Sequence, residues 1–164
     1  MKKEHKTVAY DETLQIEAYR LDRITQPFPN HFHEYYVIGF VARGGALLTC
    51  KNQEFHVDTG SVVLFQPGDN HGRVKIPQET MLTLTEEVTG KRELPGFTVN
   101  VLLDEEVNCY LRPLHEMIMA GAGDLDKEEN LLLLISLLLR RYGQPFSRSI
   151  PPCRDEIECA CRFI

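Results

Sequence analysis

Two short segments concentrate the side chains able to do chemistry. The first is His31-Phe32-His33-Glu34, at the entrance to an aromatic run. The second is Gly60-Ser61-Val62-Val63-Leu64-Phe65-Gln66-Pro67-Gly68-Asp69-Asn70-His71. In an extended chain alternate side chains share a face, so His31 and His33 point to one side and Glu34 to the other. If a strand ending at His71 faces them, three imidazoles converge inside a barrel. Imidazole is the commonest ligand for divalent transition metals. His31 and His33 can equally cap a strand, bonded to backbone or Tyr groups, or line a pocket without metal. No carboxylate pair suggests acid–base work, and no Gly-rich phosphate loop, Ser-His-Asp arrangement or activated Cys setting is visible.

The elements that must position these residues are strands in the first half. Residues 14–19 alternate with period two, and 26–30 break the pattern. Residues 35–41 are aromatic and β-branched, followed by a turn at Arg43-Gly44-Gly45. Further strands are expected over 46–50, 54–58 and 61–65, with turns at 51–53, 59–60 and 67–70. Short strands at this spacing, punctuated by Gly and Pro, indicate an antiparallel sandwich or barrel. Tyr35 and Tyr36 point to opposite faces, and alternation alone leaves open which of them enters a pocket. Arg43 reads as a solvated turn residue, or as a guanidinium placed for paired hydroxyls or a carboxylate.

The second half reads as helices. Pro77 suits a first turn, and Met81, Leu84 and Val88 form a stripe that Gly90 ends. A second helix is expected from Asp104 as N-cap to Gly121, with Val107, Leu111, Leu114 and Ile118 on one face. A third is expected from Asp126 as N-cap to Gly143, through Leu131, Leu134 and Leu138. That helix is apolar almost all round, so it must be buried on more than one side. Either the chain's own core covers it, or helices 104–121 and 126–142 form a hairpin packed on a second subunit. The leucines on both flanks favour the homodimer, with Leu111, Leu114, Ile118, Leu131, Leu134 and Leu138 as its contact residues. Residues 144–152, with three prolines, read as a linker, and 153–164 as the start of a helix cut from a longer protein.

Composition excludes several classes. The 164 residues carry 18 Lys or Arg and 24 Asp or Glu, a net charge of −6. This acidic balance argues against nucleic-acid binding by the bulk of the chain. No apolar run approaches the ~18–20 residues of a membrane span, and the N-terminus lacks a signal peptide's apolar stretch. A cytoplasmic location is therefore expected, with the five scattered cysteines reduced. Cys153, Cys159 and Cys161 lack zinc-site spacing.

The two histidine segments resemble the motifs of the cupin superfamily. The second matches except that Gln66 replaces a Pro. The first matches only in His31 and His33, because the family's Glu falls at Val37 or Ile38. The order of features is closer to one branch. His-x-His, a Tyr-rich strand, a Gly turn, a second hairpin, Gly-Ser-Val-Val-Leu-Phe, Pro-Gly and His resemble the N-terminal sensor domain of AraC-type transcription regulators. So do the leucine-rich helix pair, the Pro-rich linker and residues 156–164, which resemble the opening of that family's helix-turn-helix domain. The resemblance implies a mostly β fold with C-terminal α: a cupin-like double-stranded β-helix, or jelly-roll, barrel over 14–103, with a short helix near 77–90. An arm (1–13) would precede it and a dimerisation hairpin (104–143) follow. The effector implied is a small polar molecule, sugar-like, held by His31, His33, Tyr35, Arg43 and His71. Arg43 falls where a sugar-contacting Arg is placed, and His71 near the pocket rim. DNA would be reached only through the missing C-terminal domain. No cofactor, no membrane partner and no enzymatic activity are expected. The alternative is a metal-dependent cupin enzyme, an isomerase or dioxygenase, with a divalent transition metal on His31, His33 and His71. Between His71 and the helix at Pro77 the family has a longer stretch, so a barrel strand is expected to be lost or absent there.

Overall fold

The strict alternation of β3, Tyr35–Phe40, decides the architecture, because it sends large side chains to two different neighbours. The computed structural model describes residues 4–22, 34–50, 53–67 and 74–145. Besides β3, the first-half strands are β1 (His5–Asp11), β2 (Ile16–Asp22), β4 (Gly45–Cys50), β5 (Gln53–Asp58), β6 (Ser61–Phe65) and β7 (Val74–Pro77). Then come α1 (Gln78–Thr89), β8 (Pro95–Phe97), β9 (Val101–Leu103), α2 (Glu105–Ala120), α3 (Asp124–Tyr142) and β10 (Gly143–Pro145). Six strands form one antiparallel sheet in the order β1-β2-β7-β3-β6-β9. The β4–β5 hairpin and the β8–β10 pair stand apart from it. The architecture is mostly β with C-terminal helices, as expected.

One face of the sheet carries Ile16, Ala18, Tyr36, Ile38, Val62, Leu64 and Ile76, all buried against the helices. The other face carries Val37, Val63 and Phe65, buried with Cys50 and Val57 of the β4–β5 hairpin. β6 is buried along its whole length because both faces are covered, which is why its sequence reads as a continuous apolar run.

The structure adds two strands to the sheet expected from the sequence. Residues 1–13, read as an arm, contain β1, an edge strand paired with β2 from His5↔Asp22 to Asp11↔Ile16. The strand thought lost before Pro77 is present as β7, which pairs with both β2 and β3.

The helices end where the sequence says they should. Asp104 caps α2, accepting the Glu106 and Val107 amides at 3.0 and 3.1 Å. Gly121 closes that helix in the left-handed region. The same Asp104 carboxylate reaches the other end of the hairpin, accepting from Arg141 Nη1 and the Tyr142 hydroxyl, each at 2.8 Å. Burial alone would raise the Asp104 pKa. The bonds from Tyr142, Arg141 and the Val107 amide outweigh that and hold it below the usual carboxylate value. Asp104→Ala is expected to cost at least the ~1 kcal/mol of a lost N-cap, read as a lower denaturant midpoint. The expected cap at Asp126 is corrected. α3 starts at Asp124 behind Gly123, with no side-chain cap, and Asp126 lies in the first turn. An acidic residue there still complements the helix dipole without capping.

The residues expected at a dimer contact take part in this chain's own packing. Leu111, Leu114, Ile118, Leu131, Leu134 and Leu138 are all buried in this chain's own core. The several partners that α3 requires are α2, α1 and the β8–β10 pair, all within this chain. The apolar side chains left exposed on α3 are Leu125 and Leu133.

Candidate functional site

The side of the sheet away from the helices, the cup side, holds a packed apolar cluster under the β4–β5 hairpin. Its floor is Val37, Val63 and Phe65, and its cover is Cys50, Val57, Leu48 and Phe55 from the hairpin. Tyr35 packs half-buried against this inner cluster, whereas Tyr36 is fully buried on the helix side. Alternation thus puts Tyr35 on the cup side and Tyr36 on the helix side. The Tyr36 hydroxyl donates to the Pro95 carbonyl at 2.7 Å, and burial pushes its pKa well up.

His31, His33 and His71 lie outside the described residues. The elements that flank them are placed. β3 begins and β6 ends at the same end of the sheet, since Val37 pairs with Phe65. Glu34, before β3, and Pro67, after β6, therefore stand at that same end. Gln78, first in α1, donates its amide to the Glu34 carbonyl at 2.7 Å and so fixes the entrance of β3. The two positions where the cupin motif would place a carboxylate are both apolar and buried: Val37 in the cup and Ile38 against the helices. Neither offers a ligand oxygen to a metal.

Arg43 is exposed on the β3–β4 turn, next to Gly44 at φ 78°. His56 is exposed on β5. His115 is buried, with its Nε2 donating to the Tyr19 carbonyl at 2.9 Å and its ring edge-on to Phe40 at 5.4 Å. It borders a void of about 10 Å³ between Ile16, Ile38, Leu111 and Leu134. That space is apolar and no larger than one water, so it is a packing defect and not a ligand site.

The sequence reading missed a second stretch of the cup-side face. On β1 and β2 the pairs Val8↔Tyr19 and Tyr10↔Glu17 share that face, because their neighbours Ala9 and Ala18 face the helices. The register Glu17↔Lys75↔Val37 carries the same face across β7 into the cup. Here the surface is aromatic and charged. The Lys6 ammonium lies 4.8 Å from the Tyr19 ring centroid, and the Tyr19 hydroxyl donates to Glu17. Val8 and Tyr10 are about half exposed. The available signal was the pair of Tyr residues at alternating positions of 5–11 and 16–22. The cup side of the sheet therefore changes from packed and apolar under the hairpin to exposed, aromatic and charged at β1–β2.

Comparison with known proteins adds to this geometry. Residues 13–138 match the family model described as the AraC-like ligand binding domain. The chain is similar to a Bacillus subtilis (strain 168) protein named as an uncharacterized HTH-type transcriptional regulator, YbfI. The two are 38% identical over 177 aligned residues, covering 100% of this chain and 64% of that relative's length. No helix among the described residues is long and apolar enough to cross a membrane.

Proposed function

Because the chain belongs to the AraC-like ligand binding domain family, we propose that it senses a small polar molecule in the cup and transmits that occupancy to an attached DNA-binding region. The effector class is a sugar or sugar-like metabolite. The observation that carries this reading is the two-faced sheet. One face is sealed by helices, and the other is cupped by a hairpin beside the attachment points of both histidine segments. His31, His33, Tyr35, Arg43 and His71 are the proposed contacts. Regulation of transcription is proposed from the similarity to the Bacillus regulator, and a homodimer from the leucine-rich α3, whose Leu125 and Leu133 are exposed. The coupling arises from unequal ligand affinity for two arrangements of the domain, and ~1–3 kcal/mol suffices.

The test is thermal denaturation in the presence of a panel of monosaccharides and sugar acids. A ligand at a hundredfold excess over its Kd stabilises by about 2.7 kcal/mol, which raises Tm clearly. A panel with no stabilising member would overturn the sugar reading, and a stoichiometric transition metal in the purified protein would favour the enzyme. Arg43→Ala is expected to weaken binding of the stabilising ligand at least tenfold with Tm unchanged, since an exposed turn residue contributes little to the fold. Equal affinity in titration calorimetry would remove Arg43 from the site.

A further inference from the structure

Gln66 stands where the cupin motif has a Pro, and its side chain does what a Pro could not. Its Oε1 accepts the Phe97 amide at 2.9 Å. Phe97 ends β8, whose partner is β10, the first residues beyond α3, in the register Phe97↔Gly143, Gly96↔Gln144, Pro95↔Pro145. The Thr98 amide extends the pairing, donating to the Tyr142 carbonyl at 2.9 Å. A second bond holds β8 from the sheet side, from the Tyr36 hydroxyl to the Pro95 carbonyl at 2.7 Å. The Phe97 ring stands edge-on to Tyr36 at 6.0 Å. β8 is thus fastened to β3 and to the end of β6 by one side chain from each, and its free edge carries the chain leaving α3. The fit there is close. A Cβ on Gly143 would lie 2.5 Å from the Leu139 carbonyl oxygen, and one on Gly96 would lie 3.4 Å from Gln66 Oε1.

We propose that β8 is a latch through which the cup sets the path of the chain beyond α3, with Gln66 and Tyr36 as its positioning residues. This rests on the reading of the cup as a ligand site. Phe65, just before Gln66, and Val37, just after Tyr36, are both buried in the inner cluster of the cup. An occupant that displaces the end of β6 moves Gln66, and the Phe97 amide must follow it or lose its acceptor. The bonded and released arrangements of β8–β10 are the two states that occupancy biases.

Hydrogen–deuterium exchange on this chain tests the latch without a ligand. Gln66→Leu is expected to raise exchange roughly tenfold at Gly96, Phe97 and Thr98 and also at Gly143 and Gln144, the fold-change of one ordinary hydrogen bond. The amides of α2 and mid-α3 should stay protected. Tyr36→Phe should act in the same direction. Gly143→Ala should loosen 143–144 and Thr98 while β3 and β6 stay protected, which reads the latch from its other side even if Gln66→Leu fails to fold. Loosening of 96–98 with 143–144 unchanged overturns the proposal, as does no change in either. A stabilising sugar should alter exchange at 143–144 in the wild type and leave it unaltered in Gln66→Leu. If no sugar binds, the ligand reading falls, and the latch is still judged by the variants.

Discussion

Asp11→Asn is expected to destabilise the domain by about 3–5 kcal/mol, the cost of leaving a buried charge without its partner. Asp11 ends β1, and its carboxylate does two things there. It accepts the Leu14 amide at 2.9 Å, which shapes the turn into β2, and it receives the Lys127 ammonium from the first turn of α3. The Asp11 and Lys127 side chains are only 5% and 4% exposed, so the pair is shielded from water and salt. Lys127 also sits at the positive end of the α3 dipole, where a cation needs a counter-charge. Denaturant unfolding should show the midpoint falling with the slope unchanged. Asp11→Asn with Lys127→Met should recover much of the loss, because no buried charge is then left unpaired. A single variant costing under about 1 kcal/mol, or a double variant showing simple additivity, would overturn this account. The pH dependence follows. Burial raises the Asp11 pKa, but the Lys127 bond and the Leu14 amide outweigh burial, so the folded value lies below the ordinary ~3.9. The contribution is therefore complete above that ordinary value and is lost as pH falls through the depressed one.

Leu138→Ala is the second large effect, about 2–5 kcal/mol, since a fully buried leucine loses both its transfer energy and its packing. Leu138 touches this chain's own core, so the loss should not depend on protein concentration. Leu133→Glu, at a side chain 42% exposed on α3, should stay within about 0.5 kcal/mol. If the homodimer uses the outer face of α3, that second variant lowers the mass measured by sedimentation while leaving the fold intact. A Leu138→Ala loss that shrinks as protein concentration rises would return Leu138 to a subunit contact.

The strands with large residues facing a core were legible in the sequence, and so were the helix stripes and the Asp104 cap. β1 was not, because its contrast is inverted. Small Thr7 and Ala9 face the helices while Val8 and Tyr10 face outward, so the usual apolar-inside signal is missing. β8 and β9 are three residues each, too short for any period. Lys127 reads as a solvated helix charge until its partner, 116 residues away, is placed beside it. The six leucine and isoleucine positions were correctly read as buried, but periodicity cannot say whose atoms do the burying. Of the candidate site, the sequence pointed to the two histidine segments that flank the start of β3 and the end of β6, and the roles of those histidines are proposals. The aromatic, charged stretch on β1–β2 and the anchoring role of Gln66 depend on register between distant strands.

β6 presses Val62 and Leu64 into the helix layer and Val63 and Phe65 into the hairpin layer. No position along it is free to vary for one layer's sake alone, because a change of volume displaces a backbone that both layers rest on. Diversification of binding preference is better placed at the exposed cup-side positions of β1 and β2, such as Val8 and Tyr10. A mutant library aimed at new effectors would do best to randomise those positions and hold β6, Asp11, Ile16 and Ala18 constant.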